Sequence, residues 1–297
     1  MNKIDRLTFL KLAALAPISL AMNPLNSLNH LTSELHLTEK MPILFLGHGS
    51  PMNGIEENEF TQGFRNTAKS IPKPSAILCV SAHWYTQGTK VTSMLIPRTI
   101  HDFAGFPREL YQVHYPAPGH PKLAETTKAL LNPTPVELDE QWGLDHGAWT
   151  VIKHMYPKAD IPIIQLSIDY TKDANYHYEL AKKLSSLREK GVLIIGSGNI
   201  IHNLTLVDFG KLNKIDYGYD WAHEAHATIN SLLQDGNYQP LINYTKQNQA
   251  IQLAIPTPDH YLPLIYILGL KEKGKSISLF NDRLVGGSIS MTSVIIS

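Results

Sequence analysis

The sequence predicts a single α/β domain built on a central mixed, largely parallel sheet covered by helices on both faces. Three observations carry that expectation. Short, nearly continuous apolar runs are bounded by Gly, Pro or Ser; segments of helical apolar spacing lie between them; and no repeat, low-complexity tract or linker divides the chain after residue 41. The runs at 43–46 (ILFL), 76–80 (AILCV), 161–166 (IPIIQL) and 192–195 (VLII) have the make-up of strands buried on both faces. Between them, 121–131 and 174–190 carry apolar residues at helical spacing, with Leu180, Ala181, Leu184 and Leu187 in the second and Gly191 behind it as a C-cap. The stretch 261–270 predicts a further helix, and 288–296 alternates like a closing strand.

Composition narrows the function. Across 297 residues, 26 basic side chains balance 26 acidic ones, so no broad field exists to gather nucleic acid or an anionic membrane. Hydrophobic residues at 43% against 18% charged describe a chain able to bury a large core. The single cysteine, Cys79, excludes an internal disulfide framework and Cys-rich zinc modules, and its place in an apolar run makes it an inert core residue. Fourteen histidines point instead to a nitrogen-rich metal site.

Residues 1–40 read as a signal-like or flexible N-terminal segment. Lys3, Arg6 and Lys11 precede an apolar stretch at 12–21 that suits a signal h-region and is too short for a stable membrane span. It looks like a twin-arginine signal with Leu7 in place of the second arginine, which places the protein in the periplasm if the signal works and in the cytoplasm otherwise. Residues 41–297 form the domain.

Within it the histidines fall at equivalent places. His48 follows the first strand in Gly47-His48-Gly49-Ser50-Pro51, His83 the second in Ser81-Ala82-His83-Trp84, and His202 the strand at 192–195 in Gly196-Ser197-Gly198-Asn199-Ile200-Ile201-His202-Asn203. In open α/β sheets ligands bind outside the carboxyl ends of the strands, so three distant stretches of chain can converge there. Any one such histidine is more often a hydrogen-bonded loop residue; three at matching positions, flanked by glycines, point to a site. The Gly196-Ser197-Gly198 turn lacks the Lys-Ser/Thr of a phosphate loop. His223 and His226 share a helix face at i, i+3, but the HExxH pattern of zinc proteases is absent, and that segment reads as a solvated helix with a buried Trp221. His114 and His120 read as surface or capping residues.

Seven segments in order, at 42–52 (PILFLGHGSPM), 81–84 (SAHW), 99–107 (TIHDFAGFP), 114–119 (HYPAPG), 142–149 (WGLDHGAW), 196–204 (GSGNIIHNL) and 256–263 (PTPDHYLP), resemble the class III extradiol ring-cleavage dioxygenases, in particular the 4,5-DOPA extradiol dioxygenase branch. The resemblance spans almost the whole domain. It implies that His48, His83 and His260 hold a metal, that His202 either completes a four-nitrogen set or acts as acid/base, and that His146 is a catalytic pocket histidine. It further implies one divalent ion per chain, Fe(II) for activity or Zn(II) as a bound form, and a catechol and O2 as substrates. A glutamate that completes the metal site in better-known class III enzymes is missing at the matching place, so His260 is the expected third ligand and Asp259 the alternative. His101, Asp102, Phe106, Tyr115 and Trp149 are expected near an aromatic pocket, with His101, Phe106 and Trp149 on the substrate. Arg98, Arg108 and Lys153 are candidate partners for a charged substituent.

Ring cleavage needs a metal with open positions for both catechol oxygens and O2, which a three-ligand protein face leaves available. Two other readings use the same residues. A zinc hydrolase would activate water with His202 or Asp145 as general base, and a non-enzymatic member of the superfamily would keep the fold without the chemistry.

Overall fold

The computed structural model describes residues 39–297, so the signal-like reading lies outside the described residues except for its last two positions. The strands are β1 (Ile43–Gly47), β2 (Ala76–Thr86), β3 (Thr89–Thr92), β4 (Val136–Asp139), β5 (Ile163–Asp169), β6 (Val192–Gly198), β7 (Ile277–Phe280), β8 (Leu284–Val285), β9 (Ile289–Ser290) and β10 (Ser293–Ile296). Eight of them form one sheet in the order β4-β3-β5-β2-β6-β1-β10-β7. The central four, β5, β2, β6 and β1, run parallel. Antiparallel pairings, β3 with β5 and β10 with both β1 and β7, flank them.

The apolar runs alternate faces as a pleated strand requires. Ile43, Phe45, Leu78, Val80 and Ile194 enter one core with the helices α2 (Pro121–Leu130), α4 (Ala174–Lys182), α5 (Asp220–Gln234), α6 (Gln249–Ala254) and α7 (Leu262–Gly269). Leu44, Leu46, Ile77, Cys79 and Ile195 enter the other, beneath α1 (Glu59–Ser70) and α3 (His146–Met155). Each fully buried Leu or Ile is worth about 1.5–3 kcal/mol relative to exposure, so this two-faced burial is what holds the parallel strands together. Helices therefore cover both faces, as the sequence predicts.

Two elements differ from their sequence reading. The helix expected over 174–190 stops at Lys182, where bonds from Lys183 and Leu184 to Leu180 and Ala181 tighten the ladder, and resumes as a 3-10 turn over Ser185–Lys190. Gly191 closes it at φ 74°, in the left-handed region. The strand expected over 288–296 breaks in two: β9 pairs with β8, and β10 joins the main sheet. Between them Thr292 bonds the Ser290 hydroxyl through its backbone N–H and the Asp282 carboxylate through its hydroxyl, local bonds that replace the ladder.

Candidate metal centre

The carboxyl ends of β1, β2 and β6 bring the histidines together, and local chemistry fixes each one. His48 leaves β1 while its N–H continues the ladder to the Gly198 carbonyl, and Asn53 Nδ2 holds the His48 carbonyl at 2.9 Å. His83 lies in the stretch of β2 where the register to β5 shifts, between Val80 and Tyr85, the kind of irregularity that re-aims a side chain. His146 is the first residue of α3, whose N-cap Asp145 accepts from the Ala148 N–H. His260 precedes α7, with its carbonyl accepting from Asn199 N–H at 2.9 Å. That approach needs Gly198, since a Cβ there would lie 2.2 Å from the same oxygen.

Three rings form a nearly equilateral triangle: centroids of His48 and His83 are 5.0 Å apart, His83 and His260 5.0 Å, and His48 and His260 5.2 Å. The other two flank it. His146 lies 3.8 Å from His83, and His202 stacks on His260 at 3.5 Å. Donor atoms of His48, His83 and His146 fall within 4.8 Å of one another, as do those of His202, Asp259 and His260. The centre thus spans both groups.

The partners of the triangle settle its tautomers. Ser197 Oγ donates to the Gly147 carbonyl at 2.5 Å, so at 3.0 Å it accepts from Nδ1–H of His48. His83 Nδ1 faces Asp102 Oδ2 at 3.2 Å, and His260 Nδ1 bonds the Asp259 carboxylate. Each ring therefore keeps a bare Nε2 lone pair, and carboxylate- or hydroxyl-held imidazoles of this kind are the usual metal ligands. The Nε2 atoms of His48 and His83 sit 3.2 Å apart. Two bare lone pairs at that distance repel unless a proton or a metal cation lies between them; two nitrogens each about 2.1 Å from one ion stand roughly 3.0–3.4 Å apart, so an ion can take the proton's place. The residues fit a divalent ion. They also place Asp259 behind His260 as its orienting carboxylate, rather than in its stead.

Charge follows the same logic. Burial, reinforced by the neighbouring imidazoles, holds His48 well below the ordinary histidine range and His202 down at about 2. Burial also lowers His260 to about 4 against the pull of Asp259, and lowers His146 against that of Asp102. His83 is the exception: burial works against its proton, but Asp102 and the carboxylates of Asp145 and Asp259 outweigh it and raise the pKa. Burial would raise the carboxyl of Asp102, and the bonds from His146 and His83 win, holding it far below its usual range. Neutral rings are the metal-binding form, and the proton that His83 favours is one that an ion displaces.

A cavity of about 490 Å³ opens over the cluster, lined among others by Asp102, Phe103, Phe106, Leu204, Phe209 and Ile289. Phe106 lines it as expected; His101 and Trp149 do not. His101 turns its Nε2 to the Val113 carbonyl at 2.9 Å, and Trp149 is fully buried with Nε1 donating to the Ile100 carbonyl, because the apolar face of α3 packs inward. Tyr115 is likewise a core residue, bonded to the Tyr156 carbonyl. Arg98 bonds the Trp142 carbonyl and Lys153 the Gly54 carbonyl; neither they nor Arg108 line the cavity. His120 caps α2 and His114 is exposed. On α5, His223 is exposed and Trp221 half-buried, while His226 bonds Asp282 at 2.7 Å, so that helix is pinned to the sheet rather than merely solvated.

The sequence places Asp102 near the pocket without assigning it a partner, and Ser197 only within a Gly-Ser-Gly turn. The carboxylate inside Ile100-His101-Asp102-Phe103 is the signal for the first; for Ser197 the motif gives its place after a strand but not its bond to a ring 149 residues away. Asp145 accepts from Ser81 Oγ at 2.6 Å, Gln165 Nε2 at 2.6 Å and the Ala148 N–H at 3.0 Å, which commits its lone pairs and removes it as a general base for hydrolysis.

Comparison with known proteins agrees with this geometry. The profile of the family described as the catalytic LigB subunit of aromatic ring-opening dioxygenase matches residues 37–290. A protein of Escherichia coli K12 named 4,5-DOPA dioxygenase extradiol is 47% identical over 86% of this chain and 94% of its own length. The protein of that name from Beta vulgaris is 37% identical over 83% of this chain and 92% of its own. The crystal structure of an uncharacterized E. coli K12 protein superposes with a TM-score of 0.75 at 42% identity, covering 86% of this chain and all of that one.

Proposed function

We propose a reaction from one premise: the chain belongs to the LigB family of aromatic ring-opening dioxygenases and is an extradiol ring-cleaving oxidoreductase. In this reading it opens a DOPA-like catechol between ring carbons four and five with one O2, both oxygen atoms entering the product. The triangle of His48, His83 and His260, each with a bare Nε2, carries the proposal. A divalent ion held there, Fe(II) for turnover and Zn(II) as a bound form, supplies a centre with open positions for the catechol oxygens and O2. The chain does the rest. His202, held neutral by burial, stacks on His260 and lines the cavity, where its ring can face a catechol hydroxyl and take its proton as the catechol binds. His146, whose backbone N–H donates to Asp102 and whose Nδ1 lies 3.1 Å from the same carboxylate, serves the second oxygen in the same volume. Phe103 and Phe106 wall the ring in and limit water.

The test is anaerobic loading with Fe(II), then L-DOPA, caffeate or protocatechuate in air, reading O2 uptake and a yellow ring-opened product. A loaded, folded protein that consumes no O2 with any catechol sinks the proposal. His202→Asn separates base from ligand: as base, the variant keeps one metal per chain and loses about 10²–10⁴-fold in kcat.

A further inference from the structure

We propose that His154, remote from the imidazole cluster, is a positioning residue for the metal centre, fixing the loop that carries His48 through a hydrogen bond to Asn53; this rests on the reading that His48, His83 and His260 hold a divalent ion. The chain turns as it leaves β1, with Gly49 at φ 62° in the left-handed region, so the His48 peptide needs an outside hold. Asn53 supplies it. Its Nδ2 donates to the His48 carbonyl at 2.9 Å, its backbone N–H donates to the Ser50 carbonyl at 3.0 Å, and its Oδ1 accepts from Asn58 Nδ2 at 2.8 Å. Asn53 in turn sits in the 3-10 helix Pro51–Gly54, a single short turn whose last carbonyls need partners from elsewhere.

Helix α3 provides them. His154 Nε2 bonds the Asn53 carbonyl at 2.6 Å, Lys153 Nζ donates to the Gly54 carbonyl at 2.7 Å, and Trp149 packs so closely that a Cβ on Gly54 would lie 2.5 Å from its ring. The tautomer of His154 follows from its other neighbour. Arg65 of α1 can only donate, and its Nη2 lies 2.9 Å from His154 Nδ1, so Nδ1 accepts and the ring proton sits on Nε2, aimed at Asn53. Arg65 is itself tied to both carboxylate oxygens of Glu57, one of them at 2.6 Å. His154 and Asn53 are only 6% and 5% exposed. Burial, with Arg65 and Lys153 alongside, holds His154 below the ordinary histidine range against the pull of the Asn53 carbonyl, which keeps the ring in the neutral form that both bonds require. This tautomer is the reverse of the one that His48, His83 and His260 present to a metal. Helix α3 thus grips the centre from both ends, with His146 as its first residue and His154 eight residues on, about 12 Å along the axis.

Removing a partner that orients a ligand directly lowers metal affinity by about 10–100-fold, and His154 acts one step farther back, so about tenfold is expected. The test compares the native chain with His154→Leu, which deletes both ring nitrogens, and His154→Gln, whose amide keeps a donor for Asn53 and an acceptor for Arg65. Competition for Zn(II) against a chromophoric chelator gives Kd, the visible band of Co(II)-loaded protein reports ligand geometry, and the Tm of metal-free protein reports stability. His154→Leu is expected to bind Zn(II) about tenfold more weakly with a shifted Co(II) band, and His154→Gln to recover the native band and an affinity within about threefold of the native one. Native Kd and band in His154→Leu, whatever its Tm, overturn the proposal, since a merely structural histidine would lower stability alone; so does a glutamine variant that folds without recovering the affinity. Should His154→Leu fail to fold, Asn53→Asp reads the same path by facing the His48 carbonyl with a second acceptor, and Zn(II) affinity within twofold of the native value there is equally fatal. A native chain that binds no Zn(II) defeats the metal reading and this proposal together, whereas native binding with unaffected variants defeats the positioning role alone.

Discussion

Replacing Asp102 with asparagine tests the tautomer argument with almost no change in shape. Asp102 Oδ2 lies 3.2 Å from His83 Nδ1 and 3.1 Å from His146 Nδ1, and Oδ1 accepts from the His146 backbone N–H at 2.9 Å. An amide has one acceptor oxygen and one NH2, so whichever way it turns, a donor faces a donor. A ring that answers by moving its proton to Nε2 can no longer ligate through that nitrogen. Charge-assisted bonds of this kind are worth about 1.5–3 kcal/mol, and the amide oxygen recovers part of that. Loss of one orienting partner therefore amounts to about 1.4–2.7 kcal/mol, a 10–100-fold fall in metal affinity. Competition for Zn(II) against a chromophoric chelator measures it directly, with circular dichroism confirming the fold. A folded D102N protein whose affinity stays within twofold of the native value would refute the reasoning, because the bare Nε2 atoms would then owe nothing to Asp102.

Removing the metal with a chelator is expected to lower Tm, and re-addition to restore it in a concentration-dependent way; saturation at 100 times Kd corresponds to about 2.7 kcal/mol, and a Tm indifferent to metal would show that no ion binds the folded state. Gly147→Ala sets a Cβ 2.6 Å from Ser81 Oγ and 2.7 Å from His83 Cδ2, so His83 must shift; metal affinity should fall more than stability, and native affinity would contradict the packing. His177, remote from the centre, bonds Tyr266 and the Asp169 carbonyl, and burial holds its pKa down at about 4 from 6.5. Because the folded state resists a proton that the unfolded chain takes up, its stability contribution is complete above about pH 6.5 and is lost as pH falls to about 4, by about 3 kcal/mol. Urea unfolding should show that loss in the native chain and its absence in His177→Gln, and parallel pH profiles would disprove it.

Much of the site was legible because its residues sit where chain direction alone places them. A buried parallel strand ends at its sheet's carboxyl edge, so His48 and His83 had to meet once the runs at 43–46 and 76–80 were neighbours or near neighbours. The runs were readable because strands buried on both faces are nearly all apolar, Gln165 being the one polar residue within the four runs. Illegible were features set by contacts across long sequence distances. His101 and Trp149 belong to motifs of the right kind, yet the inward face of α3 claims Trp149 and the Val113 carbonyl claims His101. The break at 291–292 was hidden for the same reason, since Asp282 competes for Thr292 from another segment.

By itself the sequence pointed to the fold class, through apolar runs that read as strands buried on both faces, and to His48, His83 and His202, through their positions after strands; His146 and His260 entered only with the family resemblance. Only the tertiary structure decided which nitrogen each ring presents and that Asp259 stands behind His260. Hydrophobic periodicity is a property of neighbours in the chain, whereas a tautomer depends on the one hydrogen-bond partner that folding delivers, and for His48 that partner, Ser197, comes from 149 residues away.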